Sequence, residues 1–147
     1  MSLFGAIAVS ASGMEAQRTR AELITENLAN ADTTRTPEGG PYRRKDAVFT
    51  TAPAGSTFSE ALFSAQTGLG QAEGVAVSQV VVDDSSPERR YLPGHPDADD
   101  DGYVGFPRIN PAEEMVDLLG ASRGYQANVA AISAVKDMIA RSIDLFR

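Results

Sequence analysis

The sequence has no cysteine, no tryptophan and a single histidine among its 147 residues. Without cysteine there is no disulfide framework, no thiolate metal site and no cysteine nucleophile, and such a chain suits an oxidising compartment where it must stay unbridged. One imidazole, His95, has no second histidine or thiol to join it in a zinc site. It lies between Gly94 and Pro96 and reads as a turn residue. No Gly-x-Ser-x-Gly elbow occurs, and the glycines of Pro37 to Pro41 lack Walker spacing and its Lys-Ser/Thr ending. The chain is therefore expected to be no enzyme and to carry no cofactor. Aromatics make up only 7%, so large rigid core anchors are few and help from neighbours is expected.

No apolar run reaches the roughly 20 residues that a membrane-spanning helix needs, so membrane insertion is not expected. The stretch Leu3 to Ala11 is apolar, but no Lys or Arg precedes Arg18, so the basic leader of a signal peptide is missing and an uncleaved start is expected. Basic residues are also outnumbered, 13 against 20 acidic, for a net charge of -7. That balance argues against nucleic acid or anionic lipid as the main partner.

What the sequence does have is helical period at both ends. Leu3, Ile7, Ser10, Met14, Gln17, Ala21, Ile24, Leu28 and Ala31 recur at alternating steps of four and three, as along a coiled-coil seam. A helix from Leu3 to Ala31, with Ser2 placed to cap it, would be about 43 Å long. Met115, Leu118, Ser122, Tyr125, Val129, Ile132, Lys136, Ile139, Ile143 and Phe146 form a second seam. Its start is marked by Asn110 as cap, Pro111 at the first helical position and Glu113 at the capping-box position. Both seams are diluted by small or polar residues, which also suits an ordinary amphipathic hairpin packed on its own core. Gly120 and Gly124 each cost about 1 kcal/mol relative to alanine inside a helix, and close helix approach is the natural compensation.

Between the helices the chain turns rich in Pro and Gly. Strands are expected around Tyr42 to Thr51 and Val75 to Asp83, the second half-buried through the alternation of Val75, Val77, Gln79 and Val81. Short hairpin strands are expected at Arg89 to Leu92 and Tyr103 to Phe106, loops at Pro53 to Ser56 and Thr67 to Gly74, and either a short helix or a strand at Phe58 to Ala65. The expected class is α+β: an N-terminal assembly helix over 1–31, a β-rich middle over 32–109 and a C-terminal assembly helix over 110–147, the two long helices packed as a coiled-coil-like pair.

Asp97, Asp99, Asp101 and Gly102 match the opening of a calcium loop, which makes a calcium-binding secreted interaction module the alternative function. The match fails at its end, where the twelfth position is Arg108 rather than a bidentate Glu. The basic clusters Arg43, Arg44, Lys45 and Arg89, Arg90 read as a solvated face or an interface rim.

Three segments together resemble the axial family of flagellar proteins, the rod and hook subunits: Glu26 to Lys45 (ENLANADTTRTPEGGPYRRK), His95 to Val104 (HPDADDDGYV) and Asn110 to Ile132 (NPAEEMVDLLGASRGYQANVAAI). Asn27-Leu28-Ala29-Asn30 is similar to a signature of rod and hook proteins, and the residues after it are similar to the proximal-rod branch. The resemblance implies a structural subunit of the periplasmic proximal rod that packs with other rod proteins and copies of itself in a helical array. It implies export without a cleaved peptide through the flagellar type III apparatus, transmission of torque, and a lumen left for export. On this reading the assembly interface is Leu3, Ile7, Met14, Ile24 and Leu28 with Met115, Leu118, Val129, Ile132, Ile139 and Ile143.

Overall fold

The computed structural model describes residues 3–53 and 73–144. Two long antiparallel helices, α1 (Leu3–Ala29) and α2 (Pro111–Asp144), pack along each other, and four strands lie between them in the chain. The fold is the expected α+β. The residues expected to cap α1 and end the second seam, Ser2 and Phe146, and the undecided segment Phe58 to Ala65 lie outside the described residues.

α2 begins where its sequence says it should. Asn110 Oδ1 accepts the Ala112 N–H at 3.1 Å and its carbonyl accepts the Glu114 N–H at 3.1 Å, while Glu113 and Glu114 in the first turn complement the helix dipole. α1 ends at Ala29, two residues before Ala31. Asn30 explains the early stop: its side-chain amide donates to the Glu26 carbonyl at 2.9 Å, and its hydroxyl-bearing neighbour Thr33 donates to Asn30 Oδ1 at 3.2 Å, so local side-chain bonds close the chain into a turn.

The line along which the helices meet is not the line that hydropathy marks. Gly13 sits against Asn128, Gln17 against Gly124, Arg20 reaches Asp117 at 3.5 Å and Asn27 reaches Glu114 at 3.3 Å. The buried residues are Ala16, Ile24 and Asn27 on α1 and Glu114, Ala121 and Val135 on α2. On α2 this inner seam falls one residue before much of the expected one. Met115, Ser122, Tyr125, Val129, Lys136 and Ile143 are exposed. The physical reason is that the inner line uses small side chains for close approach and amides or carboxylates for hydrogen bonds, and neither carries a hydropathy signal.

The two expected helix glycines separate. A Cβ at Gly124 would stand 3.1 Å from the Gln17 side chain, so close approach compensates its cost; a Cβ at Gly120 would meet nothing. Gly13, not singled out by the sequence, is a second close point, where a Cβ would lie 2.9 Å from Asn128 Oδ1.

β1 (Lys45–Pro53) and β2 (Glu73–Val82) form an antiparallel pair with Lys45 opposite Val82 and Pro53 opposite Glu73. The pair runs back along α1: Lys45 lies at Asn27, and the Val75 N–H donates to Ser12 Oγ at 3.0 Å. The first strand starts later than expected because Tyr42 is drawn into a buried contact with α1, and the loops expected at Pro53 and at Glu73–Gly74 are strand. Ser78 is the extra residue of a bulge, since Val48 pairs Gln79 and Phe49 pairs Val77. The bulge breaks the alternation read in β2. Val75 and Val81 are exposed, and the one buried position of that strand is Gly74.

β3 (Glu88–Tyr91) and β4 (Tyr103–Phe106) form the expected hairpin. Val104 on β4 is almost fully buried. Gly102 holds φ at 80°, and a Cβ there would lie 2.9 Å from the Tyr91 ring, so the turn requires glycine on both counts.

Replacing Gly120 by alanine is expected to stabilise the protein by about 1 kcal/mol, raising Tm by roughly 2–4 °C. Gly124→Ala, which must displace Gln17, is expected to gain less. Thermal unfolding followed by circular dichroism compares the two.

Candidate functional site

Where α1 ends, β1 begins and α2 begins, the side chains of Asn27, Tyr42, Arg44 and Glu114 and the backbone of Lys45 form a polar node. At its centre Asn27 has no solvent exposure. Its Nδ2 donates to the Lys45 carbonyl at 2.8 Å and to Glu114 Oε2 at 3.3 Å. Its Oδ1 accepts the Lys45 N–H at 2.9 Å and the Tyr42 hydroxyl at 3.1 Å. Two donors and two lone pairs are all a carboxamide has, so the group is saturated. By pairing both backbone groups of Lys45, the side chain acts as a one-residue neighbour to the edge of β1.

Glu114 is 2% exposed and is held by two partners, Asn27 and Arg44, whose Nε donates to Oε1 at 2.6 Å. Arg44 also reaches Asp46 at 2.9 Å and Asp117 at 3.7 Å. Burial alone would lower the Arg44 pKa, but hydrogen bonds to Glu114 and Asp46 outweigh it and hold the guanidinium above its ordinary range. Burial pushes Tyr42 up to about 12, with the Glu26 and Glu114 carboxylates adding to the effect. Lys45 pairs Glu26 and Arg43 pairs Asp84 at 2.7 Å. Of the cluster Arg43–Lys45, read from sequence as a solvated face or rim, Arg44 and Lys45 are thus intramolecular clamps and Arg43 stays on the solvated face.

The second candidate surface is the outward flank of the helix pair. Of the residues singled out by the sequence, Ile24 is buried between elements, and Ile7, Met14, Leu28, Leu118, Ile132 and Ile139 are half-buried. Leu3, Met115, Val129 and Ile143 are exposed, Met115 at 56% and Ile143 at 64%. Phe4, Val116 and Leu119, which no spacing argument selected, are more exposed still or comparable. A signal for Val116 and Leu119 was present in the sequence as apolar side chains off the seam.

Two carboxylates of the acidic turn, Asp97 and Asp99, are committed to bonds within the chain. Asp97 accepts from Thr34 Oγ1 at 2.8 Å and from Arg35 at 3.4 Å, and Asp99 accepts the N–H groups of Tyr103 and Asp101 at 2.7 and 3.1 Å and also the Arg89 guanidinium. The Tyr103 N–H, burial working against it, and Arg89 leave Asp99 with a lowered pKa. Among the described residues no three His, Asp or Glu side chains converge as a metal site would require. His95 Nδ1 accepts the Asp97 N–H at 3.1 Å, as a turn residue does.

Comparison with known proteins fits this arrangement of paired end helices around a strand-rich middle. Residues 7–35 match the family model described as flagella basal body rod protein, and residues 101–145 match flagellar basal body rod FlgEFG protein C-terminal. The two matches cover most of α1 and all of α2, and they define the class as the flagellar rod proteins. Over nearly their whole lengths, the flagellar basal-body rod proteins FlgC of Bacillus subtilis, Borreliella burgdorferi and Salmonella typhimurium are 42%, 37% and 36% identical to it, covering 99%, 100% and 99% of this chain and 99%, 99% and 98% of their own. The chain belongs to the FlgC family of flagellar basal-body rod proteins. It is a structural rod component and not an enzyme.

The node makes stability depend on alkaline pH. A tyrosine whose folded pKa lies near 12 and whose unfolded pKa lies near 10 favours the folded state fully below about pH 10, and that contribution is lost as pH rises toward 12. Chemical unfolding at a series of pH values is expected to show this decline in the wild type and a flatter profile in Tyr42→Phe.

Proposed function

We propose that this chain is a subunit of the periplasmic proximal rod, joined to other rod proteins and to copies of itself in a helical array through its end segments, 1–31 and 110–147. The observation that carries this reading is the exposed and half-exposed apolar flank of the helix pair, from Leu3 and Ile7 on α1 to Met115, Val129 and Ile143 on α2. Its heptad-like steps of three and four are those that seat a neighbouring helix. On α2 the inner line holds the intrachain partner and the seam one residue on is left exposed at Met115, Val129 and Ile143; on α1 the seam shares Gln17 and Ile24 with the inner line and is exposed at Leu3. Contacts between unlike patches that do not close on themselves generate a helical wall.

In this reading the interface is Leu3, Ile7, Met14, Leu28, Met115, Leu118, Val129, Ile132, Ile139 and Ile143, while Ile24, expected there from the sequence, is 4% exposed and is used inside the single chain. The middle, 32–109, is the outer joint to adjacent subunits. The wall transmits motor torque and leaves an export conduit at its centre. Delivery is by the flagellar type III apparatus without a cleaved signal peptide.

Mass spectrometry of purified hook-basal bodies tests the assignment: the chain is expected there in stoichiometric amount, beginning at Met1 or Ser2. Its absence from intact basal bodies would overturn the rod reading, and a start well inside α1 would overturn the uncleaved one. For the interface, Val129→Glu, which adds charge at an exposed seam position, is expected to reduce incorporation at least about tenfold, the equivalent of a loss of roughly 1.4 kcal/mol. Ser86→Glu on the exposed middle is the matched control, and equal incorporation of the two would remove the seam from the interface.

A further inference from the structure

The geometry points to Asn27 and Glu114 as positioning residues that hold the β1–β2 sheet at one orientation against the helix pair, making the junction a rigid joint rather than a hinge. The mechanical use of the joint rests on the rod reading; the joint itself is a property of the single chain.

Three observations lead to it. The sheet lies along α1 with little apolar anchorage: among the described residues of β1 and β2 only Gly74 is buried. An apolar contact is non-directional and, when thin, permits sliding and tilting. The node supplies what that contact lacks, because four hydrogen bonds converge on one carboxamide from α2, from β1 and from the segment before β1. Hydrogen bonds weaken steeply off their preferred angles, so several meeting at one planar group fix orientation as well as distance.

The second observation is that the residue types are determined by the chemistry. A carboxylate at position 27 would offer no donor to the Lys45 carbonyl and would face the Glu114 carboxylate. An alanine would leave both Lys45 backbone groups and Glu114 Oε2 without this partner. At 114 an ionised glutamate accepts from Asn27 on one oxygen and from Arg44 on the other. A glutamine can satisfy Asn27 only by turning its own N–H groups toward the Arg44 guanidinium.

The third is placement. Asn27 is in the last turn of α1 and Glu114 in the first turn of α2. They stand where the chain leaves the helix pair for the middle and where it returns. Arg44 extends the clamp to Asp117, and Lys45 adds its pair with Glu26, so both helices grip the start of the same strand.

The absence of native cysteine allows a direct test on the full chain by spin labelling. One label pair, Gln79→Cys with Arg123→Cys, spans the sheet and the helix pair at two exposed sites. A second, Glu15→Cys with Asp137→Cys, reports on the helix pair alone. Electron paramagnetic resonance distance distributions are expected to be narrow for both pairs in the parent. Asn27→Ala and, less strongly, Glu114→Gln are expected to broaden the sheet-to-helix distribution while leaving the helix-to-helix one unchanged. That split in either variant supports the joint. If the sheet-to-helix distribution stays narrow in both variants, or if both distributions broaden together in both, the residues do not act as a joint and the inference fails. Incorporation of the parent chain into basal bodies is measured separately, so failure of the rod reading is not confused with failure of the joint.

Discussion

The structure depends on one buried carboxamide with no spare valence. Asn27 bonds α2 through Glu114, β1 through both backbone groups of Lys45, and the connecting segment through Tyr42. A hydrogen bond inside a protein is worth little over its counterpart in water, but a buried polar group left unpaired costs about 1–3 kcal/mol. The consequence is selectivity. Any arrangement that displaces the strand from the helix ends leaves several groups dry at once. Glu114 raises the stakes, because a buried carboxylate that loses Arg44 is an uncompensated charge.

This constraint accounts for how a chain with so few large core residues keeps a defined shape. Among the described residues the buried apolar side chains other than Tyr42 are small or β-branched, Ala16, Ile24, Val104, Ala121 and Val135 among them. The helices approach closely because Gly13 and Gly124 each receive an amide side chain from the other helix, Asn128 and Gln17. Packing of that kind buries modest area per residue, so polar contacts decide the register and apolar contacts follow it. The large apolar side chains that other folds would spend on a core, Phe4, Met115, Val116, Leu119 and Ile143, stay on the outside. For a rod protein that distribution is economical: the inside fixes one subunit's geometry, and the outside remains available to neighbours.

The short elements of the middle follow the same logic of local polar bonds. Asp99 organises the β3–β4 turn by accepting two N–H groups, and Gly102 supplies the left-handed backbone that the turn needs. Thr34 and Arg35 then tie Asp97 of that turn to the segment leaving α1. Two of the three carboxylates behind the sequence's likeness to a calcium loop, Asp97 and Asp99, are thus spent on the fold.

By itself the sequence determined the two helices, the capped start of α2, the β3–β4 hairpin and the family. Each of these is local or compositional: periodicity, a cap, turn residues and motif order need no knowledge of what lies across the molecule. The tertiary structure decided which face of each helix turns inward. Periodicity marks apolar faces, and here the inner face is built from Gly13, Gln17, Asn27, Glu114, Gly124 and Asn128, whose roles exist only in pairs about a hundred positions apart. It also decided that Arg44 and Lys45 bind their own chain while Arg43 stays exposed beside Asp84, and that a bulge at Ser78 interrupts the pairing of β2. A charge or an amide carries no sign in the sequence of whether it will meet water or a partner, because that depends on which backbone the rest of the chain brings beside it.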